Sequence, residues 1–396
     1  MLHFVISHMG SAGKANHVYY KRLADELVGR GHRVTFLGVG HPETDANPAF
    51  LSWPSGTATK WGDALFLYRF VRRHRPDCLI SQFSTENVST LVGALTGVPT
   101  RVVWYRTLYH QIQADATGPD WLERVKTLRK RLVYLFATDL VANSQASVED
   151  VQTFFRVPAA KVSMLHNLVP PPRTEPVSKL PNRLVSVGRF TPSKNQQVLV
   201  EALPLIREQV PGVHVDFYGE GVCEDACRAR AAELGVAELC TFHGYKPLRD
   251  VMAGLARASV CVMTSKREAF GYVAAEAQAV GTPVVASRVD GIPEVVLEGK
   301  TGFLVHPEDA AAFAEKISTL LQNDALRERF GDSAREHFCA TFSTDKISQH
   351  ANHLERLAGK KRRGRAKSEH PDAGAQVNTS PALHLTEPRK SRADTL

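Results

Sequence analysis

The sequence runs to 396 residues, with 43% hydrophobic and 23% charged side chains and a net charge of +8. That length exceeds one ordinary domain and suits two, the composition is that of a soluble globular protein, and no run of about 18 apolar residues offers a membrane span. The positive charge is unevenly spread: nine Lys/Arg against four Asp/Glu follow from Lys360 onward, so five of the eight net charges belong to the tail and three to the rest. A nucleic-acid-binding fold carries its basic face on the folded body, and no nucleic-acid partner is expected.

Residues 2–7 read as a first core strand and lack the basic start and apolar length of a signal peptide. Six scattered cysteines show no metal-ligand spacing, and Cys78 and Cys261 sit in strand-like runs as small buried hydrophobes. A cytoplasmic protein is expected. Gly10-x-x-Gly13 follows, then a helix over 17–28, whose Val18, Tyr20, Leu23, Ala24 and Leu27 keep helical spacing, and a strand over 33–38. This opening is Rossmann-like. The glycines do not form G-x-G-x-x-G and no acid ends the second strand, so a nicotinamide dinucleotide is not expected. Strand 77–81, helix 87–95 and strand 101–105 continue the alternation, with Arg106, Tyr109 and His110 in what reads as a loop. Residues 121–136 spell an amphipathic helix, with Leu122, Val125, Leu128 and Leu132 on one side and Arg124, Lys126, Arg129, Lys130 and Arg131 crowding the remainder. Two readings stand for it: a domain helix with a solvated basic face, or a surface for anionic lipid or an anionic acceptor. Strand 139–144, helix 147–155 and strand 161–165 complete the first unit.

Pro170-Pro-Pro-Arg-Thr-Glu-Pro reads as a stiff linker. A second unit opens with strand 183–187 and the turn Gly188-Arg-Phe-Thr-Pro-Ser-Lys194. Helix 197–210, strand 213–218, the loop Gly219-Glu-Gly221, helix 223–234, strand 240–242, His243-Gly244-Tyr245 and helix 248–256 follow. A buried strand over 259–264 then gives way to Ser265-Lys-Arg-Glu268-Ala269-Phe270-Gly271-Tyr272. A helix is entered near Phe270 and ends at Gly281, where Pro283 bars continuation. Glu268 and Glu276 stand with seven residues between them. The amides around Phe270, Gly271 and Tyr272 are orphan donors at the positive end of that helix, a seat for phosphate, and Glu276 lies within reach of sugar hydroxyls beside it. The plainer reading makes Glu268 a cap-region acid and Glu276 a solvated helix residue. Helices over 309–321, 326–341 and 347–357 finish the fold. From residue 359 a basic and then Ser/Pro/Ala-rich run without apolar period reads as disorder.

Glu268 and Glu276 at this spacing, followed in order by Gly281-Thr-Pro-Val-Val-Ala-Ser, Gly291-Ile-Pro-Glu-Val-Val and Gly299-Lys-Thr-Gly-Phe-Leu-Val, resemble the Glu-x7-Glu region of the retaining GT-B glycosyltransferases. The likeness is to the nucleotide-sugar-dependent family numbered four. It covers roughly residues 2–357 and is densest over 183–305. It implies an α/β fold of GT-B architecture: two Rossmann-like doubly wound domains facing across a cleft, with a C-terminal helix returning to the first. The implied units are 1–168 on the acceptor side, a linker at 169–182, a nucleotide-sugar domain at 183–345, a bracing helix at 346–358 and a basic tail at 359–396. It also implies transfer of a sugar, with retention, from a UDP- or GDP-linked donor to a hydroxyl of a saccharide, glycolipid or cell-surface polymer.

By the same likeness Arg189 and Lys194 stabilise the departing diphosphate, Glu268 positions the donor sugar and Glu276 binds ribose hydroxyls. Gly13, Gly188, Gly244, Tyr245, Ala269, Phe270, Gly271 and Tyr272 would surround the donor. Relatives place a polar residue just after the strand that here ends at Tyr105. That slot falls near Tyr105 or Arg106 and His110 several residues late, and Arg106 and His110 stand as acceptor-side candidates. Where relatives often have Asn-Gly-Val-Asp, this chain has Asn167-Leu-Val-Pro, so that turn differs. No Asp-x-Asp motif is present, and neither a metal nor another cofactor is expected, since fixed cations and helix amides can stabilise the leaving group instead. The basic tail reads either as an electrostatic hold on anionic lipid or as an end without a role. The alternative activity is another reaction on the same scaffold, such as nucleotide-sugar epimerisation.

Overall fold

The computed structural model describes the chain except for residues 8–14, 39–45, 57, 117, 173–176 and 370–396, and at 15–17, 120 and 361–369 it describes the backbone alone. Short runs rich in Val, Ile, Leu and Phe form strands covered on both faces, as parallel sheets require. β1 (His3–Ser7), β2 (Arg33–Gly38), β3 (Ala49–Ser52), β4 (Cys78–Gln82), β5 (Thr100–Tyr105), β6 (Asp139–Ala142) and β7 (Val162–Met164) build one all-parallel sheet. Its order is β3-β2-β1-β4-β5-β6-β7. β8 (Arg183–Val187), β9 (His214–Tyr218), β10 (Cys240–Phe242), β11 (Val260–Met263), β12 (Val284–Ser287) and β13 (Gly302–Val305) build a second parallel sheet, ordered β10-β9-β8-β11-β12-β13. In both sheets the order reverses beside the first strand, which creates a crevice at the strands' carboxyl ends.

The first sheet is accompanied by α1 (Ala15–Gly29), α2 (Trp61–His74), α3 (Glu86–Leu95), α4 (Tyr109–Ala114), α5 (Asp120–Phe136) and α6 (Gln145–Phe155). The second is accompanied by α7 (Gln197–Gln209), α8 (Glu224–Glu233), α9 (Leu248–Arg257), α10 (Tyr272–Ala279), α11 (Ile292–Val295), α12 (Ala310–Gln322) and α13 (Asp324–Thr341). α14 (Ile347–Glu369) then returns to the first sheet. Its Ile347, Ala351, Leu354 and Ala358, spaced as one helical face, are buried with Phe4, Tyr19, Leu23 and Trp104. The Tyr19 hydroxyl lies 2.7 Å from His350 Nδ1, and burial pushes that imidazole down to about 3, so it is neutral. The second sheet has a core on each face, one around Leu203, Phe217 and Phe313 and the other around Cys261, Phe270 and Phe338. Two polypeptide crossings tie the halves: the Val169 amide donates to the Phe342 carbonyl at 2.7 Å, and Thr344 returns a bond to Val169 at 3.1 Å.

Four sequence expectations need correction. The stretch before residue 77 carries β3 and α2, neither of which the pattern revealed: β3 is four residues long, and α2 leaves Trp61, Leu65 and Tyr68 exposed, blurring its apolar stripe. His110 belongs to α4, a helix too short to show a period, not to a loop. The helix of the glutamates begins at Tyr272, not near Phe270, because Gly271 holds φ 96°, in the left-handed region, and so stands outside the helix as its cap. Helix α14 runs on to Glu369 where disorder was expected from 359. Lys, Arg, Ala and Glu favour helix, and a helix already anchored on the core extends at little cost. The rest of the expected tail lies outside the described residues.

Candidate active site

The crevice of the second sheet is flanked by β8 and β11, which pair directly, with Val260 opposite Leu184. The segment leaving β8 carries Gly188, Arg189 and Lys194, and the segment leaving β11 carries Glu268 to Gly271. Lys194 Nζ forms an ion pair with Glu268 Oε2, and both side chains are largely covered. The two loops are sewn together by the backbone, with the Lys266 amide donating to Ser193 O at 2.8 Å and Thr264 Oγ1 to Lys194 O at 3.2 Å. Behind the first loop lies 219–221. Gly188 N donates to Tyr218 O at 2.9 Å and Phe190 N to Glu220 O at 3.0 Å. A β-carbon on Gly219 would stand 2.0 Å from Gly188 O, and one on Gly221 2.3 Å from Phe190 O, so the two loops stack only because both residues are glycine. Gly244 and Tyr245 join the same edge: Gly219 N donates to Gly244 O at 2.9 Å and Tyr245 N to Glu220 Oε1 at 2.9 Å.

The loop of Glu268 is braced from the following strand. Its amide donates to Asp290 Oδ2 at 2.9 Å, its carbonyl accepts from Gly291 N at 3.0 Å, and Arg267 pairs with Asp290 at 3.0 Å. Ala269 and Phe270 are buried; the Phe270 ring packs on Phe342 and Tyr272, so only its backbone is available to a ligand. Glu276 is 7% exposed, which excludes the solvated-helix reading. Burial raises its carboxyl to about 7, and no cation pairs with it among the described residues. A buried carboxylate without a partner is costly, and that cost falls when hydroxyl donors reach it.

The facing wall comes from the first sheet. Arg106, just after β5, is buried against the rings of Tyr19, Tyr20 and Trp104, 5.0 to 5.4 Å from their centroids. Its Nη1 donates to the Tyr272 hydroxyl at 3.0 Å, joining the two halves. His110 turns elsewhere: its ring meets Phe154 edge-on at 4.5 Å, and Nδ1 lies 3.1 Å from Gln113 Oε1. Asp115, at the end of α4, crosses to the clamp loop. Its carboxylate accepts from Ser193 N at 3.0 Å and Ser193 Oγ at 2.9 Å, with Arg189 Nη2 at 3.8 Å. Sequence reasoning missed Asp115; a lone acid in Gln-Ala-Asp-Ala carries no pattern. Between the walls lies a cavity of about 650 Å³, lined by Arg106, Gln111, Asp115, Lys126, Arg189 and Glu268. His110 does not line it. A larger hollow, about 1080 Å³, runs along α14 beside Gln349 and Arg356 and holds none of these groups.

Glu294, from the Gly-Ile-Pro-Glu run, was also missed as an interdomain residue. It accepts from Gln145 N at 2.8 Å and Ala146 N at 3.3 Å at the start of α6, and lies 3.1 Å from His166 Nε2. Burial opposes its charge, but these bonds outweigh burial and hold its carboxyl below the usual range. Ser144 Oγ donates to Ala269 O at 2.6 Å beside it. Gly13 lies outside the described residues. Among those described, no three His, Cys, Asp or Glu side chains gather to hold a metal ion. Chemically, the loops offer the cations Arg189 and Lys194 and backbone amides for an anion, and Glu276 on the following helix is a buried carboxylate able to accept from hydroxyls.

The family model described as glycosyl transferases group 1 matches residues 173–337, and that of glycosyltransferase family 4 matches 17–173. A D-inositol 3-phosphate glycosyltransferase of Corynebacterium efficiens is 40% identical over 157 residues, 38% of this chain and 37% of that one. Its counterpart in Streptomyces avermitilis is 30% identical over 281 residues, 65% of this chain and 59% of that one. The chain thus matches less than two thirds of either relative. Among solved structures, sucrose-phosphate synthase from Thermosynechococcus elongatus superposes with a TM-score of 0.71 at 19% identity, covering 90% of this chain and 98% of that one. A glycosyltransferase from Rickettsia africae gives 0.69 at 16% identity, with 90% and 98% covered. Those two likenesses concern the fold. The two family models meet at residue 173 and span both sheets between them, and the chain belongs to the group 1, family 4 glycosyltransferases.

Proposed function

We propose that the protein transfers a glycosyl group, with retention of configuration, from a nucleoside-diphosphate sugar to a hydroxyl. UDP and GDP are the favoured donor nucleotides, and a saccharide or lipid-linked molecule the acceptor. The observation that carries this reading is the meeting of Lys194 and Glu268 at the ends of two adjacent strands, with the buried, unpaired Glu276 on the helix that follows.

In the proposed reaction the bond from the anomeric carbon to the diphosphate oxygen breaks, and negative charge grows on the leaving group. Lys194 and Arg189 stabilise that charge, together with the amides where α10 begins. The acceptor oxygen attacks the same face, and its proton passes to the departing diphosphate, so no protein nucleophile and no metal ion is needed. Glu276 accepts from the ribose hydroxyls, and Glu268, freed from Lys194 as the phosphates arrive, holds the donor sugar. The backbone at Gly188, Gly244 and Tyr245 flanks the base and phosphates, and Arg106 stands on the acceptor side. Asp115 occupies the Ser193 amide, the Ser193 hydroxyl and the neighbourhood of Arg189. An arriving phosphate competes with it.

The test is turnover of UDP- and GDP-sugars with candidate acceptors, following nucleoside diphosphate release and the anomeric configuration of the product by NMR. An α-linked product from an α-linked donor, formed in step with diphosphate, supports the reading. An epimerised nucleotide sugar with no diphosphate released would favour epimerisation on this scaffold instead.

A further inference from the structure

We propose that the outer face of α5 docks the protein on an anionic lipid surface. The inference rests on the glycosyl-transfer reading and adds the source of its acceptor, a lipid-borne hydroxyl. Trp121, Val125, Leu128, Leu132 and Leu135 follow one another at steps of four, three, four and three residues, which lays them along one side of the helix. A stripe of this kind ordinarily faces the core. Here the residues that pack inward are Val133 and Tyr134, while the stripe is exposed: 65% at Trp121, 55% at Val125, 58% at Leu128, 52% at Leu132 and 67% at Leu135. A continuous apolar face of this length left in water marks an interaction surface.

The charges on the helix select the occupant. Residues 121–136 carry five cations and one acid. Lys126 is paired with Glu123 at 2.7 Å, Lys130 with Glu86 at 3.2 Å, and Arg131 Nε donates to Phe154 O at 2.8 Å. Arg124 and Arg129, beside the stripe, have no such partner among the described residues. A second copy of this chain would set these arginines against their own likeness, which repels, whereas an apolar stripe with cationic flanks matches the interior and headgroups of an anionic bilayer leaflet. The long arginine side chains reach headgroup level while their stems lie on the apolar face. Placement adds a functional consequence. Leu122, Glu123 and Lys126, on the same helix, line the 650 Å³ cavity with Arg189 and Glu268, so a protein resting on α5 brings the cavity next to the surface.

The experiment is co-flotation of the full chain with vesicles of phosphatidylcholine alone or mixed with phosphatidylglycerol. Two double variants are compared with wild type, Arg124→Ser/Arg129→Ser and Leu128→Ser/Leu132→Ser. Each is first checked by thermal melting and by titration with UDP and GDP in the absence of lipid. Wild type is expected to float with the anionic vesicles alone. Both variants should melt and bind diphosphate as wild type does and lose vesicle affinity by at least about tenfold. Three results would overturn docking: wild type that ignores anionic vesicles, variants that float like wild type, or a dimer in light scattering that the leucine variant splits. Diphosphate binding without vesicle binding sinks this inference and spares the proposed reaction. Vesicle binding without diphosphate binding supports the docking face and sinks the reaction.

Discussion

The two walls of the cleft are built by different rules. The wall from the second sheet is local: Gly188 to Lys194 and Glu268 to Glu276 are two continuous segments at the ends of neighbouring strands, each braced by a loop of its own domain. The wall from the first sheet is assembled from single residues that reach across: Arg106 to Tyr272, Asp115 to Ser193, Ser144 to Ala269. In the proposed reaction the first kind of wall holds a common feature of many donors, a diphosphate, which calls for fixed geometry. On that reading the second faces the acceptor, and it is held to the first by a handful of hydrogen bonds that substitution can retune.

Substitutions on each wall should therefore fail differently. The largest effect is expected at Lys194→Ala, which in the proposed reaction removes a cation from the departing diphosphate; turnover should fall by about 100-fold or more with the melting temperature little changed. Glu276→Gln should separate stability from binding. Its carboxyl sits at about 7 folded against 4.5 ordinarily, so between those values the folded protein keeps a proton that the unfolded chain releases. Stability contributed by this group therefore falls as pH rises from 4.5 to 7, by roughly 3 kcal/mol in all. Denaturant titration should find the variant more stable than wild type at pH 8 by about 3 kcal/mol, with that gain gone near pH 4.5, while diphosphate binding weakens at every pH above 7. Between the walls, Glu294→Ala removes the second unit's acceptor for the Gln145 and Ala146 amides of α6 and should cost about 1 to 2 kcal/mol in denaturant unfolding. Asp115→Asn removes a carboxylate that competes with phosphate for Ser193 and Arg189. Diphosphate should then bind tighter by up to about fivefold, measured by calorimetry. His110→Ala, whose ring leans on Phe154 outside the cavity, should change turnover by less than about twofold.

The same contrast explains what the sequence could reveal. The wall of the second sheet was legible because its segments follow strand ends: a strand, a glycine turn and cations in one place, a strand and two spaced glutamates in another. The second parallel sheet was legible for the same reason, through uninterrupted runs such as Val260 to Met263. The contacts between the two walls were not. Asp115, on the first unit, and Glu294, on the second, act through tertiary meetings of residues 78 and 149 positions apart, and the sequence around each says nothing of its partner. The apolar period of α5 was visible, but period cannot say which way a stripe faces, and only the packing of Val133 and Tyr134 showed that it points outward.

The central claim, that Lys194 and Glu276 serve one nucleotide-diphosphate site, is tested most directly by calorimetric titration of UDP and GDP into wild type, Lys194→Ala and Glu276→Ala. The account predicts that one diphosphate binds wild type and that each variant loses at least about tenfold in affinity. Absence of binding by wild type, or equal affinity in all three proteins, would contradict it.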